Sequence, residues 1–428
     1  MTPRSQAQNR VERLLSFKEA QQCVRAQAEL LIKQPRTSEE LPLLECLGRT
    51  LAEGIVADRD LPPFPRATRD GFLVRAEDVR TVPAELNIVG QIRAGGELPG
   101  AFAELKKGQA ISIMTGAPAP GGANAVVMVE HTERDGDTVR LLRSAMAGEN
   151  IVAQGSEARA QARLIEPGTR ISHPQVALAA AVGKSRVSVY SRPQIAILPT
   201  GDELVPLDSE PASNQIRNSN SFSLAAQVIR EGAEPIQLPI APDEPGRLRD
   251  LIGRGLESHL LLLSGGVSAG EYDLVEDVLR DFSAEFLFTG VQIQPGKPLV
   301  FGRARSPNGS PERWTYFFGL PGNPISTMVT FELFASILIR SLSGRALPTM
   351  PLPMKARLAK EIRVKTGLTR FLPARLSGNW EEAEVEPVRW QGSGDVAAFA
   401  RADCLLVIPP EVEHFNPGEW VTILPLEN

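Results

Sequence analysis

The stretch LLLLSGGVSAGEYD, residues 260–273, decides the fold of this chain. Its apolar run is typical of a strand buried on both faces of a parallel sheet. The run ends at a Ser-Gly-Gly turn, and a further glycine leads to the acidic residues Glu271 and Asp273. Glycines let backbone N–H groups approach a ligand, and a helix starting near Glu271 would point its positive end at the same place. The stretch therefore predicts a strand, a turn suited to a phosphate and a helix, although the same glycines could serve only to reverse the chain.

The sequence on both sides of this stretch alternates between two patterns. QIAILPTG (194–201) and EPIQLPI (234–240) read as strands, whereas SFSLAAQVIREG (221–232) and EPGRLRDLIGRGLE (244–257) read as helices. Such alternation predicts a mostly parallel sheet with covering helices. Ligands of these sheets bind beyond the carboxyl ends of the strands, so the residues that follow each apolar run are the first candidates for a site.

The rest of the chain has other patterns. Its 428 residues allow two to four domains. Residues 16–33 carry apolar side chains at helical spacing behind a Ser-x-x-Glu capping box, which predicts a helix. From about residue 51 to residue 144, and again after residue 346, short alternating runs separated by Gly and Pro predict β-rich domains.

Composition excludes several classes of function. A net charge of -5 does not suit a nucleic-acid-binding surface, and four histidines do not suit a His-rich metal cage. Three cysteines without CxxC spacing argue against disulfides and zinc, so Cys23 and Cys404 are assigned to structure. There is no apolar leader and no run of about 18 apolar residues, so we expect a soluble cytoplasmic protein that binds neither nucleic acid nor membrane.

Polar residues follow three further apolar runs. TGDEL (200–204) supplies carboxylates, PGKP (295–298) a lysine, and GLPGNP (319–324) an asparagine before a helix. Together these groups suit a phosphorylated ligand and a divalent cation. The carboxylates could instead be ordinary helix N-caps. Neither a P-loop nor a GxGxxG motif is present.

These motifs also carry a resemblance. TGDEL, SGGVSAGEYD, PGKP, GLPGNP and IMTGAPAP (113–120) occur in the order found in molybdopterin molybdenumtransferases, the MoeA and gephyrin E-domain family. The resemblance implies insertion of molybdenum from molybdate into adenylylated molybdopterin, with release of AMP and help from Mg²⁺. It also implies a homodimer with a site shared between subunits, and the upstream molybdopterin adenylyltransferase and apo-molybdoenzymes as possible protein partners.

The resemblance implies a multidomain α/β plus β fold. The expected domains are a mixed, elongated linking and dimerisation domain (1–50 with 145–190), a β-rich domain (51–144), a molybdopterin-binding α/β domain (191–346) and a small C-terminal β-barrel-like domain (347–428).

Site residues are carried over by position. The expected catalytic residues are Asp70, Thr115, Glu203, Asp273, Lys297 and Ser393. The expected cation ligands are Glu203, Asp243 and Asp273. Cofactor-binding positions are Thr200, Gly201, Asp202, Ser264, Gly265, Gly266, Ser268, Gly270, Pro295, Gly296, Lys297, Pro298, Pro321, Gly322, Asn323 and Pro324.

The chain departs from the family pattern at a few positions. Pro65 stands where a carboxylate is common, Glu157 replaces an Asp, and Gln294 replaces a frequent Lys. Arg66 and Arg69 add positive charge near Pro65, unless they only form a solvated loop. These changes keep open a molybdopterin carrier or scaffold without metal insertion, and related folds keep open a nucleotide-linked hydrolase.

Overall fold

The structure is a computed structural model that describes residues 14–95, 104–265, 274–307, 313–346 and 352–426. Its first helix, Phe17–Ile32, begins after Ser16, whose side chain accepts from the Glu19 N–H in the expected capping box. The helix buries Ala20, Val24, Ala28 and Leu31. The prediction of this helix and of its buried face is confirmed.

Short antiparallel pairs join the chain before the β-rich segment to the chain after it. Ser38–Pro42 pairs with Arg186–Tyr190, and Ile55–Val56 pairs with Arg163–Ile165. Further elements of this region are a 3₁₀ helix, Leu43–Cys46, the helix His173–Ala181, and the pair Arg66–Ala67 with Ile151–Val152.

A six-stranded mixed sheet forms the β-rich segment. A β carbon at Gly71 would lie 2.0 Å from the Val127 carbonyl oxygen, so only glycine fits between these neighbouring strands. Short 3₁₀ helices, Ala76–Val79 and Val129–His131, flank the sheet. In spatial order its strands are Ala125–Met128, Gly71–Val74, Gln109–Ile113, Ala84–Ile92, Thr138–Leu141 and Thr132–Asp135.

The central sheet also has six strands. The first four strands pair with one another in parallel. The fifth strand is antiparallel to the fourth, and the sixth is antiparallel to the fifth. The expected mostly parallel sheet is therefore confirmed. In spatial order its strands are Glu234–Gln237, Gln194–Pro199, Leu260–Ser264, Trp314–Leu320, Val300–Arg305 and Glu285–Phe288.

Helices cover both faces of this sheet. Leu260 and Leu262 pack into the cluster formed with helices Phe17–Ile32, Asn220–Arg230 and Pro324–Leu342. The alternate residues, Leu261 and Leu263, pack into the opposite cluster, beneath helices Pro245–Gly255 and Leu274–Asp281. The leucine run is therefore buried on both faces because each face has its own helical layer.

The helix Pro324–Leu342 contains a π-helical segment, Phe331–Ala335. Contrary to expectation, its 19 residues and mean hydropathy of 1.5 reach the range of membrane spans. However, 78% of its most apolar window is buried inside the protein, which accounts for this composition. The helix forms part of the core.

A closed five-stranded barrel forms the C-terminal region. It is attached to the central domain where Ile293–Gln294 pairs with Thr369–Arg370. Ile362–Arg363 pairs with His414–Phe415, and one short helix, Val396–Phe399, lies between strands. The predicted barrel is confirmed. Its strands, in order, are Thr369–Gly378, Ala383–Pro387, Met354–Leu358, Trp420–Pro425 and Cys404–Ile408.

A buried charge cluster lies behind the central sheet. The Glu231 side chain is fully buried and accepts from Arg340 at 2.7 and 2.9 Å and from Arg345 at 3.2 Å. Arg230 lies 3.3 Å from the same carboxylate. Burial alone would raise the pKa of Glu231, but Arg340, with Arg345 and Arg230, outweighs it and leaves the pKa below its ordinary value.

Candidate functional site

Three parallel strands end side by side, as the sequence predicted. The Thr200 N–H donates to the Ser264 carbonyl at 3.0 Å, and the Gly265 N–H donates to the Leu320 carbonyl at 3.3 Å. Gly265 has φ +97, and a β carbon there would lie 2.4 Å from the Thr200 carbonyl oxygen. A glycine is required because the strand ends approach so closely.

A cavity of about 380 Å³, here called the strand-end cavity, opens where these strands end. Its volume is in the range of small-molecule sites. It is lined by nine of the positions predicted to bind the cofactor or act in catalysis: Thr200, Glu203, Ser264, Gly265, Pro298, Pro321, Gly322, Asn323 and Pro324.

One polar group in this cavity was not among the predicted site residues. Asn220 donates to the Ser264 hydroxyl at 2.9 Å and to the Gly322 carbonyl at 2.7 Å, which ties two of the predicted loops together. Its Oδ1 and the Thr200 Oγ1 are buried atoms without a hydrogen-bond partner among the described residues. Buried polar atoms without a partner indicate a bound ligand or water. The cluster RNSNS (217–221) at a helix start was the available signal.

Glu203, which lines the cavity, belongs to an acidic group with Asp202 and Asp243. The Asp202 carboxylate accepts from the Asp243 N–H at 3.1 Å. Partial burial, followed by the charges of Asp202 and Glu203, raises the pKa of Asp243 above its ordinary value. A short strand, Leu204–Val205, follows Asp202 and Glu203, so the alternative that they cap a helix is wrong. These carboxylates repel one another, and a cation would relieve that repulsion.

The described carboxylates do not by themselves complete a metal site. In the ranges that the structure describes, no three acidic, His or Cys side chains come together as metal ligands. The third expected ligand, Asp273, lies outside the described residues, as do Gly266, Ser268 and Gly270.

The PGKP turn lies next to this cavity. Gly296 has φ +110, and a β carbon there would lie 2.4 Å from the Thr330 Cγ2, so the turn needs glycine. Pro295 is buried, Pro298 lines the cavity, and the Lys297 side chain is exposed between them. The Lys297 backbone carbonyl accepts from the Val291 N–H at 2.9 Å, so the turn is fixed while its ammonium group stays accessible.

The C-terminal barrel contacts the chain just after the loop that carries Asn323. The Ser393 carbonyl accepts from the Ile325 N–H at 2.9 Å, at the start of the helix that follows Asn323 and Pro324. Ser393 is therefore near the strand-end cavity within one chain.

Asp70 and Thr115 form a separate group in the β-rich segment. Thr115 donates its backbone N–H and its hydroxyl to the Asp70 carboxylate, at 2.6 and 2.8 Å. These two bonds, the backbone bond first, lower the pKa of Asp70 below its ordinary value. Arg66 pairs with Glu157 at 2.9 Å, and both side chains are about half exposed, which is compatible with the alternative of a solvated loop.

Cysteine chemistry has no place in this site. Cys23, Cys46 and Cys404 are not in disulfide bonds. Burial raises the pKa of Cys404 to about 12, so it is a neutral thiol at neutral pH.

A second, larger cavity of about 710 Å³ adjoins the first and shares Leu204 and Asn218 with it. Its walls include Phe222, Pro239 and Ile240, with the amide of Gln237 beside them. Mostly apolar walls with a few polar groups suit a flat ring system.

Comparison with known proteins agrees with this architecture. Residues 15–183 match the MoeA N-terminal region (domains I and II), residues 196–341 match a probable molybdopterin binding domain, and residues 355–426 match the MoeA C-terminal region (domain IV).

Individual relatives span nearly the whole chain. The molybdopterin molybdenumtransferase of Nostoc sp. is 33% identical over 397 residues, covering 91% of this chain and 89% of the relative. That of Staphylococcus epidermidis is 31% identical over 389 residues, covering 90% of each. The crystal structure of the MoeA molybdopterin biosynthesis protein from Pyrococcus horikoshii has a TM-score of 0.71 at 32% identity, covering 97% of this chain and all (100%) of that one. The chain therefore belongs to the MoeA family of molybdopterin molybdenumtransferases.

Proposed function

We propose that this protein inserts molybdenum from molybdate into adenylylated molybdopterin and releases AMP, in a magnesium-dependent reaction in the cytoplasm. The observation that carries the proposal is the strand-end cavity with its two unpartnered buried atoms, Thr200 Oγ1 and Asn220 Oδ1. Membership of the family supports the choice of substrate.

The two adjoining cavities suit the two parts of such a ligand. The strand-end cavity offers hydroxyl, amide and backbone groups to a phosphate, and the larger cavity offers apolar walls to a ring. The exposed ammonium of Lys297, beside Pro298, would balance phosphate charge.

The acidic group of Asp202, Glu203 and Asp243 fits magnesium. Mg²⁺ prefers oxygen ligands and is commonly held by one or two protein carboxylates together with substrate phosphates, so a complete protein cage is not needed. Glu203 and Asp243, with Asp273, would hold it, and it would supply positive charge against the phosphate. Burial, followed by the charges of Asp202 and Glu203, raises the pKa of Asp243, and a cation bound there would offset this effect.

The remaining expected residues have positioning roles. Ser393 is fixed against the loop that carries Asn323 through the Ile325 N–H. Asp70 and Thr115 hydrogen bond to each other, and we propose that they complete the strand-end site of a partner subunit in a homodimer. The adenylyltransferase that supplies the substrate and the apo-enzymes that accept the product would be transient partners.

An activity assay tests the proposal. Purified protein, adenylylated molybdopterin, Mg²⁺ and molybdate should yield molybdenum cofactor and AMP, with AMP release depending on molybdate. Asp273→Asn should lower the rate by about 10²-fold, the usual cost of removing one preorganised charged group. Tight pterin binding without molybdate-dependent AMP release would identify a carrier, and AMP release from simple dinucleotides would identify a hydrolase.

Subunit mixing tests the shared site. Inactive Asp70→Ala and Asp273→Ala proteins, once their exchange has been verified by native mass spectrometry, should form heterodimers with one intact site. Random exchange should then restore up to about a quarter of the wild-type activity. No recovery would mean that the site lies within one chain or that one of these two residues is wrongly assigned to it.

A further inference from the structure

The C-terminal barrel has a cleft of its own, of about 370 Å³. Arg375, Arg389 and Arg401 line it, together with Ser377 and Glu386, and we call it the arginine cleft. Its lining residues differ from those of the strand-end cavity, so it is a separate feature of the molecule.

The arginines come from three different places in the barrel. Arg375 lies on strand Thr369–Gly378, Arg389 follows strand Ala383–Pro387, and Arg401 follows the helix Val396–Phe399. The closed barrel therefore brings together three cations that are distant in the sequence.

The acidic groups near the cleft already have other partners. Glu386 is opposite Arg375 in the strand register, yet its carboxylate is paired with Lys360. The Asp403 carboxylate accepts from the Leu376 N–H at 2.6 Å. Glu386 is thus shared with Lys360, and its single charge offsets only part of the positive charge of the three arginines.

Two other arginines of the barrel are paired with carboxylates. Arg357 is paired with Glu382, and Arg363 lies 2.7 Å from Glu361. In contrast, in the part of the chain that the structure describes, no ion pair involves the three arginines of the cleft. The cleft arginines therefore differ from Arg357 and Arg363, whose charges are balanced by carboxylates.

Three like charges in one concavity repel one another, and an anion placed among them removes that repulsion. The chain as a whole has a net charge of -5, so general attraction of anions does not explain the arrangement. Guanidinium groups bind the paired oxygens of phosphate in a bidentate manner, and the cleft has the volume of a small-molecule site rather than a flat protein interface. We propose that the arginine cleft binds a small dianionic tetrahedral oxyanion, either free or as the phosphate group of a small ester.

Arginine footprinting tests the proposal on the intact protein. Phenylglyoxal modification, read by peptide mass spectrometry, should slow at Arg375, Arg389 and Arg401 when inorganic phosphate or AMP is present. Modification of Arg363 should not change. Arg217 lines the strand-end cavity, so its protection reports binding there and keeps the two sites distinguishable.

Calorimetry of arginine variants is a second test, because it measures oxyanion binding directly. Replacing each of the three cleft arginines singly with Gln should weaken oxyanion binding at the cleft about tenfold, as expected for the loss of one charge-assisted hydrogen bond. The triple variant should abolish the binding. A control variant, Arg357→Gln with Arg363→Gln and Lys365→Gln, loses three positive charges from the same barrel and should retain it.

The ligand series separates the two sources of the oxyanion. Equal protection by phosphate and AMP supports a free oxyanion, whereas protection by AMP at much lower concentration, with none by adenosine, supports a phosphate ester. Protection of the cleft no greater than that of Arg363 would overturn the proposal. Protection by a poly-glutamate peptide alone would also overturn it, in favour of a surface for an acidic protein.

Discussion

Thr115 donates both its backbone N–H and its hydroxyl to a single oxygen of Asp70, at 2.6 and 2.8 Å. Both donors stabilise the ionised carboxylate, so Asp70 is held as an anion with a fixed orientation although it is exposed. This pair is the best-defined feature of the predicted site outside the central domain.

The pKa of Asp70 gives the first prediction. In a ¹³C NMR pH titration, Asp70 should titrate below the ordinary aspartate value of about 3.9. Thr115→Val removes the hydroxyl but keeps the backbone donor, so the pKa should rise only part of the way back. Because the folded pKa is lowered, the stability contributed by this pair is present above about pH 3.9 and is lost as pH falls through the folded pKa. Thr132→Val, whose hydroxyl donates to the Val129 carbonyl, should leave Asp70 unchanged.

Asn220 should be needed for both stability and ligand binding. Asn220→Ala removes donors to Ser264 and Gly322, and loss of these bonds should lower the free energy of unfolding by about 1–3 kcal/mol in urea denaturation. AMP binding, measured by calorimetry, should weaken as well. Ser223→Ala on the same helix removes a hydroxyl that donates to the Asn220 carbonyl, and it should leave AMP binding unchanged. Normal AMP affinity in Asn220→Ala would remove this residue from the site.

Asp243 should destabilise the protein when no cation is bound. Its raised folded pKa means that the folded protein holds this proton more tightly than the unfolded chain does, so stability is lost as pH rises from the unfolded value of about 3.9 through the folded pKa. Asp243→Asn should therefore raise Tm at neutral pH but not below about pH 3.

Bound Mg²⁺ should offset this difference in Tm between Asp243→Asn and the wild type. Saturating Mg²⁺ with AMP should raise the Tm of the wild type more than that of Asp243→Asn, because only the wild type keeps the full set of carboxylates. Asp250→Asn, an exposed change on helix Pro245–Gly255, should respond to Mg²⁺ like the wild type. Equal Mg²⁺ shifts in wild type and Asp243→Asn would exclude Asp243 as a cation ligand.

Glu231 should contribute strongly to the free energy of unfolding. Glu231→Gln removes the carboxylate that Arg340, Arg345 and Arg230 share, and leaves their charges buried without it. The expected loss is about 3–5 kcal/mol in the free energy of unfolding, measured by urea denaturation. Since the pKa of Glu231 is lowered, the wild type should lose this stabilisation as pH falls through the folded pKa, whereas the variant should not. Glu234→Gln, at an exposed position nearby, should change stability by less than about 0.5 kcal/mol.

Short-range sequence patterns were sufficient to predict the central strand and the first helix of the fold. The leucines 260–263 indicated a strand buried on both faces, and the Ser16 capping box indicated where the first helix begins. Both signals are short-range, because each depends on side chains within a few residues of one another.

The rest depends on contacts between distant residues. The bonds from Asn220 reach residues 44 and 102 positions away, and Arg340 lies 109 positions from Glu231. No spacing rule connects such positions, so the cavity's amide group and the buried charge cluster could not be predicted. The position of the antiparallel pairings in the mostly parallel central sheet was not predicted for a similar reason, because strand direction is set by the chain path and not by the apolar run.

The hydrogen bond from the Ile325 N–H to the Ser393 carbonyl has a practical consequence. It makes the barrel a structural support for the loop 319–324, where the phosphate of a substrate would lie. A fragment ending near residue 346 would leave that amide facing water and its loop without this support. Ligand screening and crystallisation should therefore use the entire chain, because the pocket of an isolated central domain would have an altered shape.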